Sequence, residues 1–96
     1  MAEIQKLAEA EIRARVSGMQ GWELADGKLR KTFTFRSFVS AFGFMSSVAL
    51  LAEAMNHHPD WSNVYSRVTI ALNTHDVGGI SDLDFTLAQK IDELAP

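Results

Sequence analysis

Residues 22–35 read Trp22-Glu23-Leu24-Ala25-Asp26-Gly27-Lys28-Leu29-Arg30-Lys31-Thr32-Phe33-Thr34-Phe35. Trp22-Glu23-Leu24 opens a strand. Asp26-Gly27 is a two-residue hairpin signal, because both central positions of the tightest hairpin turn need positive φ. On the return, over 28–35, Leu29, Phe33 and Phe35 alternate with Arg30, Thr32 and Thr34. Such a strand has one dry face and one wet face, as antiparallel sheets allow. The expected core is therefore an antiparallel sheet with helices backing it.

Upstream, residues 3–16 read as an amphipathic helix, with Ile4, Leu7, Ala8, Ile12 and Val16 on one stripe. Glu9 and Arg13, and Glu11 and Arg15, are favourable i,i+4 pairs, and Gly18 and Gly21 end the element. Downstream, Ser37 suits the N-cap of a second helix running to about Asn56, with Pro59 as its stop. That helix is apolar around most of its circumference, and its remaining stripe of Ser40, Gly43, Ser47 and Ala54 is small and uncharged. A helix of this kind is covered on more than one side. In so short a chain, a subunit interface is favoured over a purely internal core helix.

Residues 62–73 are β-like, with Val64, Val68, Ile70 and Leu72 on one face and Tyr65, Arg67, Thr69 and Asn73 on the other. They form one long strand or two short ones broken near Ser66; no turn signal decides. Thr74 to Gly79 is a loop. Ser81 with Asp84 forms a capping-box start for a last helix carrying Leu83, Leu87, Ala88, Ile91 and Leu94. The order is α–β–β–α–β(–β)–α, an α+β fold.

The chain has 96 residues, the size of a single domain spanning 1–96. At 47% hydrophobic and 22% charged it lies in the globular range. A core this small buries a modest fraction of its surface, which oligomerisation would relieve. A net charge of −3 without any lysine or arginine run argues against nucleic acid as a partner. The absence of cysteine excludes disulfides and thiolate zinc sites. The N-terminus lacks a basic-then-apolar signal pattern. The apolar stretch Phe38 to Ala52, 15 uncharged residues with three serines, reads as too short and too polar for a bilayer. A cytoplasmic protein without membrane contact is expected.

All three histidines lie at element boundaries: His57 and His58 at the exit of the second helix, His75 at the end of the last strand. Functional side chains concentrate on loops held by rigid elements. With an ordinary pKa of ~6.5, one histidine can act as acid while a neighbour acts as base. A single boundary histidine is more often a surface or capping residue, and position alone makes the trio an even bet for function. A three-histidine metal site is the minor rival, since adjacent residues on a helix point apart by about 100° and the i,i+4 ligand spacing is absent. The nearby acids are Asp82, Asp84 and Glu53, and Asp84 doubles as a first-turn capping residue. Trp22 at a strand start reads more readily as core than as site. Gly78-Gly79 has no phosphate-loop motif around it.

The pattern Glu53-Ala54-Met55-Asn56-His57-His58-Pro59-Asp60-Trp61, then Asn63-Val64-Tyr65, Thr74-His75 and Asp84, resembles the pterin-4a-carbinolamine dehydratase family. The likeness extends upstream through Gly21-Trp22 and Ala41-Phe42-Gly43-Phe44-Met45, and so covers nearly the whole chain. It implies an α–β–β–α–β–β–α fold, with a four-stranded antiparallel sheet, three helices packed on one face and a strand break near Ser66. It also implies a hydro-lyase that needs neither cofactor nor metal and removes water from 4a-hydroxytetrahydrobiopterin, or a related pterin, to give the quinonoid dihydropterin. By that resemblance His57, His58 and His75 hold the catalytic positions, with proton transfer on His57 and His75 and pterin positioning on His58. Glu53, Pro59, Thr74, Asp76, Val77 and Asp84 would bind substrate, and Trp22 would supply an aromatic wall. Asn56, where many members carry an acid, and Leu83, where some carry arginine, depart from the pattern. The resemblance also implies a homodimer or homotetramer. Animal members also serve as dimerisation cofactors of a transcription factor, so a protein-binding module, or a dehydratase acting on another pterin, is the alternative.

Overall fold

Asp26 and Gly27 sit at φ values of 53° and 75°, so β1 (Glu23–Ala25) turns directly back on β2 (Lys28–Thr34), as the Asp-Gly signal requires. This computed structural model describes residues 3–95. After β2 come α2 (Phe38–Met55), β3 (Asp60–Val64), β4 (Arg67–Leu72), a 3-10 turn at His75–Val77 and α3 (Asp82–Leu94); α1 (Glu9–Val16) precedes β1. The four strands form one antiparallel sheet in the order β1-β2-β4-β3.

Register explains the core. Leu29 pairs with Leu72, Lys31 with Ile70 and Phe33 with Val68, so one face of β2 and β4 is apolar apart from Lys31. All three helices cover that face. Ile12 of α1, Ala41, Phe44 and Val48 of α2, and Leu87, Ala88 and Ile91 of α3 join the strand residues in a single buried cluster. Full burial of a side chain such as Leu72, Ile70, Leu87 or Ile91 contributes about 1.5–3 kcal/mol. Lys31 reaches through this layer to Asp92 Oδ1 at 2.8 Å, and its ammonium lies 4.8 Å from the Phe33 ring centroid. Arg15 ties α1 to α3 through a 2.6 Å bond to Asp82, and hydrogen bonds to Asp82 and Glu11 hold its guanidinium pKa above the ordinary value.

The break in the 62–73 segment falls at Tyr65-Ser66, and so includes the residue near which the resemblance implies it. Tyr65 takes φ 53°, and the Asn63 side-chain amide donates to the carbonyls of Tyr65 and Arg67 at 3.1 and 2.8 Å. The turn changes the facing of β3. Val64 pairs with Arg67 and is exposed, whereas Trp61, opposite Ile70, is partly buried against the core. Continuous alternation through 62–73 had placed Val64 with Val68, and the hairpin undoes that.

One helix boundary differs from the sequence pattern, and a second falls where expected for a different reason. The first helix begins at Glu9, not residue 3, because Ala8 is extended at ψ 149° and Leu7 N–H donates to the Ile80 carbonyl at 2.8 Å. A lone extra turn at a helix start gains little, and this long-range bond to the loop before α3 outcompetes it. The second helix stops at Met55, four residues before Pro59, because Asn56 adopts the left-handed conformation at φ 51°, ψ 43°. At 18 residues with mean hydropathy 1.6, α2 is long and apolar enough to cross a membrane by length and composition, contrary to the 15-residue reading. Its packing is that of a core helix on one side, with Ala41, Phe44, Val48 and Ala52 buried. On the other side Val39, Phe42 and Leu50 are 78%, 56% and 74% exposed.

Candidate active site

The exit of α2 aims the first two histidines. Asn56 N–H donates to the Glu53 carbonyl at 3.1 Å and His57 N–H to the Ala52 carbonyl at 3.0 Å. These two bonds close a Schellman cap, which needs a residue that tolerates the left-handed region. Asn does so at low cost. Beyond the cap the chain turns inward. His57 is left 8% exposed, while His58 is on the surface with its Nε2 2.9 Å from Glu53 Oε1.

The third histidine arrives from the far end of β4. Thr74 is buried and pairs with Gly79 across a tight loop, and Gly78 takes φ 67° to close it. His75 heads the 3-10 turn within that loop and is exposed. His57, His58 and His75 together line a cavity of about 510 Å³. Asn73, Thr74 and Asp76 contribute polar groups, and Ile4, Met55 and Leu83 supply apolar wall. The larger cavity of about 680 Å³ lies between residues 6–13, the β1–β2 turn and Gly78-Gly79; no histidine lines it. All three histidines line the smaller one.

Behind His57 lies a fully buried carboxylate. Asp84 Oδ1 is 2.6 Å from His57 Nε2, and Oδ2 accepts from the Thr74 hydroxyl at 2.8 Å and from Ser81 N–H at 3.0 Å. The Ser81 hydroxyl lies 2.6 Å from Thr74 Oγ1 and accepts from Leu83 N–H at 3.2 Å. Asp84 is thus the capping-box acid of α3 and the partner of His57 at once. Among the described residues no three histidine, aspartate or glutamate side chains converge as a metal-binding group.

Of the residues singled out from the sequence, His57, His58, Thr74, His75 and Asp76 line the cleft. Glu53 reaches it through His58. Asp84 reaches it only through His57 and has no exposed surface for a ligand. Pro59 and Val77 do not line it. Trp22 is in the core instead: its Nε1–H donates to Asp92 Oδ2 at 2.9 Å and its ring meets Phe33 edge-on at 6.1 Å. A buried indole needs a hydrogen-bond acceptor, and Asp92 provides one on the opposite layer. Sequence reasoning missed Asn73 and Ser81, of which Ser81 was legible only as a cap.

The family model for pterin 4 alpha carbinolamine dehydratase matches residues 5–94. A protein of Prochlorococcus marinus (strain MIT 9303) is 57% identical over 90 residues, covering 94% of both chains, and one of Solibacter usitatus is 53% identical over 90 residues. Both carry pterin-4-alpha-carbinolamine dehydratase as a provisional name. Among solved structures, a transcriptional coactivator/pterin dehydratase from Brucella melitensis superimposes with a TM-score of 0.90 at 38% identity, over 96% of this chain and 100% of that one. A pterin dehydratase-like protein identified as a RuBisCO assembly factor in the alpha-carboxysome matches with a TM-score of 0.67 at 25% identity, over 80% of this chain and 92% of that one.

Proposed function

Since the chain belongs to the pterin 4 alpha carbinolamine dehydratase family, we propose that it dehydrates a 4a-hydroxytetrahydropterin to the quinonoid dihydropterin by histidine acid–base catalysis. The observation that carries this reading is the convergence of His57, His58 and His75 on one cleft from two separate elements. Loss of the 4a-hydroxyl needs a proton delivered to the departing oxygen and a base for the N5 proton. His57 and His75 supply those two roles. His58, with Glu53 at 2.9 Å, orients the pterin's amino and ring N–H groups at the mouth of the cleft. Asn73 and Asp76 offer polar side chains to the same ring edge, and Thr74 only its backbone.

General acid–base help is worth about 10²–10⁴-fold, which suits a reaction that also proceeds unaided. Purified protein is expected to accelerate decay of a synthetic 4a-carbinolamine, and His57→Ala and His75→Ala to lose about 10²-fold or more of that acceleration while staying folded. Wild-type rates in both variants would sink the proposal. The assay also chooses among pterins if several carbinolamines are offered.

The uncovered side of α2 supports a further part of the reading, a homo-oligomer in which Val39, Phe42 and Leu50 meet a second copy. Three large apolar side chains this exposed on one helix mark an interaction surface. Light scattering on the wild type and on Phe42→Glu is expected to show an oligomer and a smaller species; a monomeric wild type would turn the face toward a different protein partner.

A further inference from the structure

We infer that Asp84, Thr74 and Ser81 lock His57 in one tautomer, so that Asp84 is a positioning residue for the proton transfer and His57 is the base of the pair. The catalytic half of this inference rests on the dehydratase reading above; the structural half rests on hydrogen-bond geometry alone.

The hydrogens around Asp84 can all be assigned. An ionised carboxylate only accepts. Oδ2 receives Ser81 N–H at 3.0 Å and the Thr74 hydroxyl at 2.8 Å. Thr74 has one hydroxyl hydrogen, already directed at Asp84, so Ser81 must be the donor in the 2.6 Å contact between the two hydroxyls. Ser81 Oγ in turn accepts from Leu83 N–H at 3.2 Å. Among the described residues, the one contact of Asp84 left without an assigned hydrogen is Oδ1 to His57 Nε2 at 2.6 Å, and Nε2 must therefore be the donor. A neutral imidazole carries one N–H. With that hydrogen fixed on Nε2, Nδ1 is a bare lone pair.

Nδ1 makes no hydrogen bond within the protein among the described residues, and no buried side-chain nitrogen or oxygen there lacks a partner. Nδ1 is therefore the solvent-accessible ring nitrogen of a residue that lines the cleft. The resting ring can accept a proton there and cannot donate one. His57 takes the N5 proton at Nδ1, and the N5–H electron pair becomes the N5=C4a bond. The C4a–O bond breaks with its electrons on oxygen, which takes a proton from His75 and departs as water. His75 is exposed and exchanges its proton with solvent. The imidazolium formed at His57 keeps its second N–H on Asp84, whose negative charge stabilises it, the role a buried aspartate plays behind other catalytic histidines. Solvent then removes the proton from Nδ1.

The lock is read directly by nitrogen-15 NMR of histidine-labelled protein. Neutral His57 is expected to carry its hydrogen on Nε2; a signal from the Nδ1–H form would overturn the inference. In Asp84→Asn the side-chain amide can donate to the ring, the Nδ1–H form is expected to appear, and kcat to fall by about 10²-fold with KM changed less than about threefold. Thr74→Val is expected to lower kcat by about tenfold and Thr74→Ser to restore it, since only the hydroxyl matters to the lock. Wild-type kcat in Asp84→Asn, or equal losses in Thr74→Val and Thr74→Ser, would overturn it. A wild-type protein inactive on every carbinolamine would sink the dehydratase reading, and the NMR spectrum would still decide the lock.

Discussion

His57 retains 8% of its surface and meets a carboxylate with no exposure at all, whereas the next residue, His58, is exposed and meets Glu53, whose side chain is 81% accessible. The two contacts are of similar length, 2.6 and 2.9 Å, so distance does not separate them. Surroundings do. Around Asp84 the Thr74 hydroxyl, Ser81 N–H and the ring leave no freedom of orientation, and burial strengthens each bond. Around Glu53 two exposed side chains share solvent, and such exposed pairs contribute little stability. The buried pair is suited to holding one ring geometry through a proton transfer. The exposed pair is suited to adjusting to a ligand.

Substitutions can break or sharpen this contrast. Asp84→Ala should have the largest effect on stability, because it orphans the donors of Thr74, Ser81 and His57 and removes the α3 cap; a loss of about 2–3 kcal/mol in denaturant unfolding is expected. An unchanged midpoint would mean that the network is not structural. Asn56→Ala comes next. Alanine at φ 51° is expected to cost about 1 kcal/mol, while Asn56→Gly stays near wild type. If Ala and Gly behaved alike, the left-handed cap would not be what separates the two histidines. The smallest effect belongs to Glu53→Gln, expected to leave the unfolding midpoint unchanged and to raise KM a few-fold. A large fall in kcat in that variant would move the exposed pair into the proton-transfer chemistry.

Much of the fold is legible locally. Asp26-Gly27 fixes a turn through the φ values those two residues tolerate, and Ser81 with Asp84 announces a helix start through a box three residues wide. Alternation along 28–35 and the period of α3 place the core, except for Lys31, whose inward position needs Asp92 from 61 residues away. The site divides in the same manner. The spacing of Glu53, His57-His58-Pro59, His75 and Asp84 identifies the family, yet Pro59 does not end α2 and Trp22 does not wall the cleft. Both errors arise where a nearer or more distant partner supersedes the obvious local one.

What the amino-acid sequence determined by itself is whatever depends on neighbours within a few residues: the hairpin, the caps, the apolar faces and the presence of three boundary histidines. Only the tertiary structure decided that one histidine of an adjacent pair is buried and the other exposed. That choice depends on Asp84, 27 residues on, and on Thr74 and Ser81, which meet it only when β4 and α3 pack together. A hydrogen's position on a ring follows from which acceptor lies beside it, and no local pattern specifies that.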